Sequence, residues 1–213
     1  MMKFSYIFWD NDGVLVDTER YYCQASREAL AQVGIVLDDR RFAAISLGQG
    51  RSIFELAEQQ GHPAERLEEL RDWRNRRYSE LLSCQDTVIP GVRQALEQLS
   101  GRLGMAIVTS SRKDHFDIIH SGSGLMPYFD FVLTREDYRQ SKPSPEPYLL
   151  ALQKSGCHSE QCLVIEDSPR GLAAAKAAGL TCWMVPGFQS DPRTLTAADR
   201  IFSGILEIAA ALS

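Results

Sequence analysis

The chain reads as an α/β protein: a doubly wound parallel-sheet (Rossmann-like) core with an inserted all-α cap domain. Three observations predict this. Five short, nearly continuous apolar runs recur, Phe4 to Trp9, Leu103 to Val108, Phe129 to Leu133, Cys162 to Ile165 and Thr181 to Val185. Such runs suit strands buried on both faces. Helical patterns separate them, which predicts a parallel sheet with right-handed crossovers and a binding crevice at the strands' carboxyl ends. One segment, from Asp17 to about Cys84, breaks the alternation with helical pattern alone.

Each element has its own warrant. In the core, Val92 to Leu99 carries apolar residues at helical spacing behind Pro90-Gly91, and Phe116 to Ile119, Tyr148 to Leu152 and Leu172 to Ala178 behave alike. Ile201 to Leu212 reads as a closing strand and helix. In the insert, Thr18 to Val33 predicts one helix, with Thr18 at the N-cap and Gly34 past its end. Asp38 to Ser46, Ser52 to Gln60 and Ala64 to Leu82 predict three more. The chain rejoins the core near Val88-Ile89-Pro90-Gly91, which sets the domains at 1–16 with 85–213 and at 17–84. A helical module leaving directly after the first strand's loop can open and close over that loop.

Composition narrows the function classes. At 213 residues, 44% apolar and 24% charged, the chain is an ordinary globular protein with room for one core and a small insert. A formal charge of -5 leaves no electrostatic footprint for nucleic acid or an anionic membrane. The run behind Met1-Met2-Lys3 is too short for a signal-peptide core or a membrane span. Cys23, Cys84, Cys157, Cys162 and Cys182 have no paired spacing, and Cys162 and Cys182 fall inside apolar runs. A reducing cytoplasm is the expected compartment.

The chemistry concentrates at strand ends. Asp10-Asn11-Asp12-Gly13 follows the first apolar run. Two carboxylates that close repel unless a cation lies between them, and hard oxygen ligands suit Mg²⁺. The plain alternative is a turn at Asp12-Gly13 flanked by a solvated Asp10. The second strand run ends in Thr109-Ser110-Ser111, a hydroxyl cluster opening a helix, which is either a phosphate site or an ordinary cap. Ser141-Lys142-Pro143-Ser144-Pro145 places a lysine on a polar loop stiffened by the two prolines that follow it, although most lysines are surface charges. Cys162 to Ile165 ends in Glu166-Asp167-Ser168, a second acidic pair or a simple helix start.

In this order the four elements resemble the haloacid dehalogenase superfamily, in the branch with a helical cap between its first two motifs, over essentially the whole chain. Asp10, Asp12, Thr109, Lys142 and Glu166-Asp167 match its motifs residue by residue. The resemblance implies that Asp10 attacks phosphorus to form an aspartyl-phosphate. Asp12 then protonates the leaving oxygen and deprotonates the attacking water. Thr109 and Lys142 hold phosphoryl oxygens, and Ser110 counts with the substrate contacts. Mg²⁺ is implied as cofactor, held by Asp10, the carbonyl of Asp12, and Asp167, with Glu166 a ligand or a partner to bound water.

Several chemistries run on this family's site. Members that cleave carbon–halogen bonds lack the second aspartate, because a halide needs no proton; Asp12 is present here. Phosphonate-cleaving members use a cap lysine, and no lysine falls between Asp17 and Cys84. The β-phosphoglucomutase group is the closer rival. Where it carries a hinge histidine and a cap-loop lysine, this chain has Tyr22 and Leu47, although Arg51 and Arg74 fit its other basic positions. A binding-only descendant would have lost a catalytic carboxylate, and none is missing. The expectation is therefore a Mg²⁺-dependent phosphatase of a small phosphorylated metabolite, with a sugar phosphomutase as the alternative. Thr18, Glu19, Arg51 and Arg74 are the expected cap contacts to substrate. The expected partner is that metabolite alone, with the protein a monomer or weak homodimer. His62, His115, His120 and His158 lack metal spacing and read as structural or exposed.

Overall fold

The computed structural model describes residues 4–187 and 192–213, so Met1-Met2-Lys3 of the N-terminal reading lies outside the described residues. The chain divides into two compact units, Met1–Asp17 with Asp86–Ser213, and Thr18–Gln85. The first opens with β1 (Tyr6–Trp9). The second holds α1 (Glu19–Ala31), α2 (Asp39–Phe42), α3 (Glu55–Glu58) and α4 (Ala64–Ser83). The first resumes with α5 (Val92–Leu99), β2 (Gly104–Val108), α6 (Lys113–His120), β3 (Phe131–Leu133) and α7 (Glu146–Ser155). It closes with β4 (Cys162–Glu166), α8 (Pro169–Ala177), β5 (Thr181–Met184), β6 (Arg200–Ile201) and α9 (Ile205–Ala211).

The six strands form one sheet in the order β3-β2-β1-β4-β5-β6, every pair parallel. Phe8 stands opposite Ala106 on one side and Val164 on the other. Both faces are covered, which explains the unbroken apolar runs. Tyr6, Phe8, Ala106, Val108, Val164 and Met184 pack with Tyr148 and Ala151 of α7 and Leu172 and Ala175 of α8. The alternate residues Ile7, Trp9, Ile107 and Ile165 are fully buried as well. Strand order reverses beside β1, whose chain neighbour β2 lies on one side and β4 on the other. Ligands of such sheets bind at that reversal, beyond the strands' carboxyl ends.

Four of the five apolar runs overshoot their strands by a residue or two, and the run Cys162 to Ile165 stops one short of the end of β4 at Glu166. Phe129 closes a short 3₁₀ turn over Met126–Tyr128, so β3 begins only at Phe131. The closing strand is a two-residue exposed edge. Among the described residues no helix is long and apolar enough to cross a membrane.

In the second unit α1 packs along α4. Its core gathers Leu30, Leu37, Phe42, Phe54, Leu67 and Leu70. The second predicted helix starts as expected, with Asp38 accepting the Arg41 N–H at 2.7 Å, but relaxes into a π-helix over Ala43–Gly48. The third contracts to one turn at Glu55–Glu58. Thr18 does not cap α1 through its side chain. Its backbone sits at φ −112°, ψ −20°, in the helical basin rather than the extended conformation that aims a hydroxyl at the first N–H groups.

Candidate functional site: an acidic cluster on a buried lysine

The Asp10 N–H donates to the Ile165 carbonyl at 2.9 Å, so the chain follows β4 for one residue past β1 before turning. The turn is tight because the Asn11 carbonyl accepts the N–H groups of Leu15 at 2.8 Å and Val16 at 3.1 Å. Gly13 lies at φ +84°, and a Cβ there would stand 2.1 Å from Asp167 Oδ2. Only glycine meets both demands. At the end of β4, Ser168 caps α8 by accepting the Gly171 N–H at 3.1 Å, with Pro169 in the first turn. A Cβ on Gly171 would fall 1.8 Å from the Glu166 carboxyl group. These two glycines make room for carboxylates that the sequence crowds together.

Lys142 sits at the centre and is 5% exposed. Its Nζ donates to Asp10 Oδ1 at 2.5 Å, Glu166 Oε1 at 2.7 Å and the Val108 carbonyl at 2.8 Å, which uses all three of its protons. Glu166 is saturated too. Oε1 also accepts the Tyr148 hydroxyl at 2.8 Å, and Oε2 accepts the Asp167 and Ser168 N–H groups and the Ser168 hydroxyl at 3.1 to 3.3 Å. Arg170 donates to the Lys142 carbonyl from behind.

One oxygen each of Asp10, Glu166 and Asp167 lies within 4.8 Å of the others, and all three residues are buried. Three buried carboxylates therefore face one buried ammonium. Burial and then the charge of Glu166 push the Asp10 carboxyl above the usual carboxylate range, against the pull of Lys142. Burial opposes the charge of Lys142 as well, yet Asp10 and Glu166 together raise its pKa above the usual lysine value. The excess negative charge and the hard oxygen donors suit a divalent cation, so the residues fit the Mg²⁺ expected of them.

Asp12 belongs to the next shelf of the site. Its Oδ2 accepts the Ser111 hydroxyl at 2.6 Å, the Thr109 hydroxyl at 3.1 Å and Asn11 Nδ2 at 3.3 Å. Thr109 and Ser110 do not open a helix as expected, because α6 starts only at Lys113 with Arg112 at its N-cap. The Thr109 N–H instead donates to the Leu133 carbonyl at 2.9 Å, prolonging the sheet, and its Oγ1 accepts the Ser111 N–H at 3.0 Å. The structure thus gathers Asp10, Asp12, Thr109, Ser110, Lys142, Glu166 and Asp167 at the ends of β1, β2 and β4.

The four expected cap residues lie in the second unit. Thr18 and Glu19 open α1. Arg51 is engaged by Glu55 and by Gln49 Oε1 at 3.2 Å. Arg74 is held over the rings of Tyr22 at 4.4 Å and Phe54 at 5.5 Å, and pairs with no carboxylate among the described residues.

Sequence reasoning missed Tyr148, Arg170 and the Asn11–His120 pair. Tyr148 hides in an apolar helical stripe, and Arg170 is one arginine among many. Asn11 lies between two aspartates whose charges mark the motif more strongly than its neutral amide does. Its Oδ1 meets His120 Nε2 at 2.8 Å, and the burial of His120 fits the structural half of the expectation for the histidines.

A doubly wound sheet that presents this cluster at its strand reversal defines a class of hydrolases. The chain belongs to one family of them, the haloacid dehalogenase-like hydrolases, whose sequence profile matches residues 7–185. It is 32% identical over 180 residues to a phosphorylated carbohydrates phosphatase of Thermotoga maritima, covering 82% of this chain and 81% of the relative. It is 30% identical over 187 residues to a fructose-1-phosphate phosphatase of Escherichia coli, covering 84% and 94%. A hydrolase from Pseudomonas syringae superposes with a TM-score of 0.81 at 26% identity, covering 98% and 97%.

Proposed function

We propose that this protein is a Mg²⁺-dependent phosphatase that hydrolyses a small phosphorylated metabolite, a sugar phosphate or similar, through an aspartyl-phosphate on Asp10. One observation carries the reading. Lys142 clamps Asp10 at the sheet reversal beside Glu166 and Asp167, with a second aspartate two residues further on.

The steps follow from the residues. The Asp10 carboxylate attacks phosphorus, the phosphorus–oxygen ester bond breaks, and Asp12 gives its proton to the departing oxygen. Asp12 then takes a proton from water as that water attacks the aspartyl-phosphate. The bond from phosphorus to Asp10 breaks and phosphate leaves. Lys142 orients Asp10 and offsets charge on the phosphoryl oxygens, with Thr109 and Ser110 beside it. Asp10, the Asp12 carbonyl and Asp167 would hold Mg²⁺, which supplies charge neutralisation between carboxylates and phosphate. Glu166, already saturated, serves better as the anchor of Lys142 than as a ligand.

The helical unit is assigned substrate selection. Of its arginines, Arg74 is the better candidate for a substrate anion, since aromatic rings hold it and no carboxylate among the described residues neutralises it, whereas Glu55 engages Arg51. Relatives named for phosphorylated carbohydrates and fructose 1-phosphate support the sugar-phosphate class. Five free thiols suit a reducing cytoplasm.

The test is a panel of phosphate esters with Mg²⁺, read as phosphate release, beside a bisphosphate-primed sugar isomerisation assay. Release from sugar phosphates, silenced by chelator, supports the reading. Isomerisation without net release would make the protein a mutase, and release undiminished in chelator would remove the metal.

A further inference from the structure

We propose that His120 is a positioning residue which acts through Asn11 on the Asp12 carboxylate. The inference rests on the reading of Asp12 as acid and base.

Hydrogen-bond accounting fixes the direction of the chain. A carboxylate accepts only, so the Asn11 atom on Asp12 Oδ2 at 3.3 Å is the amide nitrogen. Asn11 Oδ1 therefore faces His120, and His120 Nε2, 2.8 Å away, must carry the proton it donates. Nδ1 is then the acceptor for the Ser123 hydroxyl at 2.9 Å. Ser123 Oγ in turn accepts the Leu125 N–H at 3.2 Å, and Arg93 binds the Ser123 carbonyl. The relay runs one way, from the backbone of Leu125 to Asp12.

Every link is packed. Asn11, Ser123 and His120 are all buried, and the His120 ring lies against Phe116 with centroids 4.3 Å apart. Burial keeps the imidazole neutral, with its pKa pushed down to about 4, which preserves the acceptor at Nδ1. Asn11 is the one residue between the two aspartates, and its carbonyl already closes the turn. Its side chain thus ties the orientation of Asp12 to a fixed point on α6. Thr109 and Ser111 hold the same Asp12 oxygen, so losing the relay should misalign the carboxylate without freeing it.

The test uses the full chain with Mg²⁺ and two aryl esters of similar size, phenyl phosphate and p-nitrophenyl phosphate. The nitrophenolate leaves readily without a proton, whereas phenol needs one. In His120→Phe, kcat/KM should fall about tenfold for phenyl phosphate and less than about threefold for p-nitrophenyl phosphate. His120→Gln, whose amide can still donate to Asn11, should recover most of the loss. Asn11→Leu with His120→Phe should be no slower than Asn11→Leu alone.

Equal losses on both esters, or losses that add in the double variant, would leave His120 as core packing and overturn the proposal. Should His120→Phe not fold, Ser123→Ala, which removes the donor to His120 Nδ1, carries the same comparison of the two esters. Asp12→Ala, run in parallel, separates the two readings. If it is blind to the leaving group, the assignment of Asp12 fails. If it is sensitive while the His120 variants are not, only the relay fails.

Discussion

Lys142 in the sheet unit and Arg51 in the helical unit are both cations beside carboxylates, and they differ in burial and in how firmly their partners are held. Lys142 is buried, with each proton committed to a separate acceptor drawn from Asp10, Glu166 and the end of β2. The Arg51 side chain is 55% exposed and meets Glu55 one helical turn away. A buried pair has lost its water, so its geometry is held and breaking it leaves a naked charge. An exposed pair keeps its hydration and can exchange Glu55 for another anion at little expense. Fixed charge suits a group that must meet a phosphoryl centre in one orientation. Exchangeable charge suits a group that meets many leaving groups.

The strongest way to break the comparison is at the lysine. Lys142→Met should lower kcat on the order of a thousandfold and destabilise the protein by about 3 kcal/mol, because Asp10 and Glu166 are left facing one another. Phosphate release and urea unfolding would read these separately. Asp10→Asn should also abolish turnover, yet in chelator its Tm should not drop, since the amide removes one of three mutually repelling carboxylates. A large fall in Tm would show that Asp10 is chiefly a structural partner of Lys142.

Next in size is the metal. Asp167→Ala should raise the Mg²⁺ concentration for half-maximal rate at least tenfold, read by titrating the metal at saturating ester. Glu166→Gln should instead lower kcat with a smaller change in the metal requirement, as expected of a residue that anchors Lys142. The reverse order would make Glu166 the ligand.

A pH effect on stability follows from the buried histidine beside the site. His120 holds a folded pKa of about 4, lowered by burial from an ordinary value of 6.5. Between those values the unfolded chain binds a proton that the folded chain does not, so stability falls as pH drops from 6.5 towards 4. Fully developed, the loss approaches roughly 3 kcal/mol. Urea midpoints at pH 7 and 4.5 should therefore differ less in His120→Phe than in the parent chain.

The smallest effects belong to the helical unit. Arg74→Ala should raise KM for the physiological ester several-fold while leaving p-nitrophenyl phosphate nearly unchanged, because uniform binding moves KM rather than kcat. Arg51→Ala should act in the same direction more weakly, and shift stability by no more than about half a kcal/mol. An equal kcat loss on large and small esters would place either arginine on the transferring phosphoryl group and end the division of labour.

Much of this architecture was legible in the chain itself. Short apolar runs alternating with helical pattern mark strands covered on both faces, and they placed the five long strands to within two residues. The acidic pairs Asp10/Asp12 and Glu166/Asp167 stood out because crowded carboxylates at the ends of buried strands are costly without a counter-charge. Lys142 was conspicuous ahead of Pro143 and Pro145. These are local signals, carried by residue type and spacing. What only the tertiary structure decided are the partnerships. That Lys142 spans 132 residues to reach Asp10, that Tyr148 of α7 reaches Glu166, and that His120 reaches Asn11 from α6 depend on strand order and helix register. A buried polar side chain must find its donor or acceptor wherever the fold brings one, and nothing in its near neighbours along the chain records which one that is.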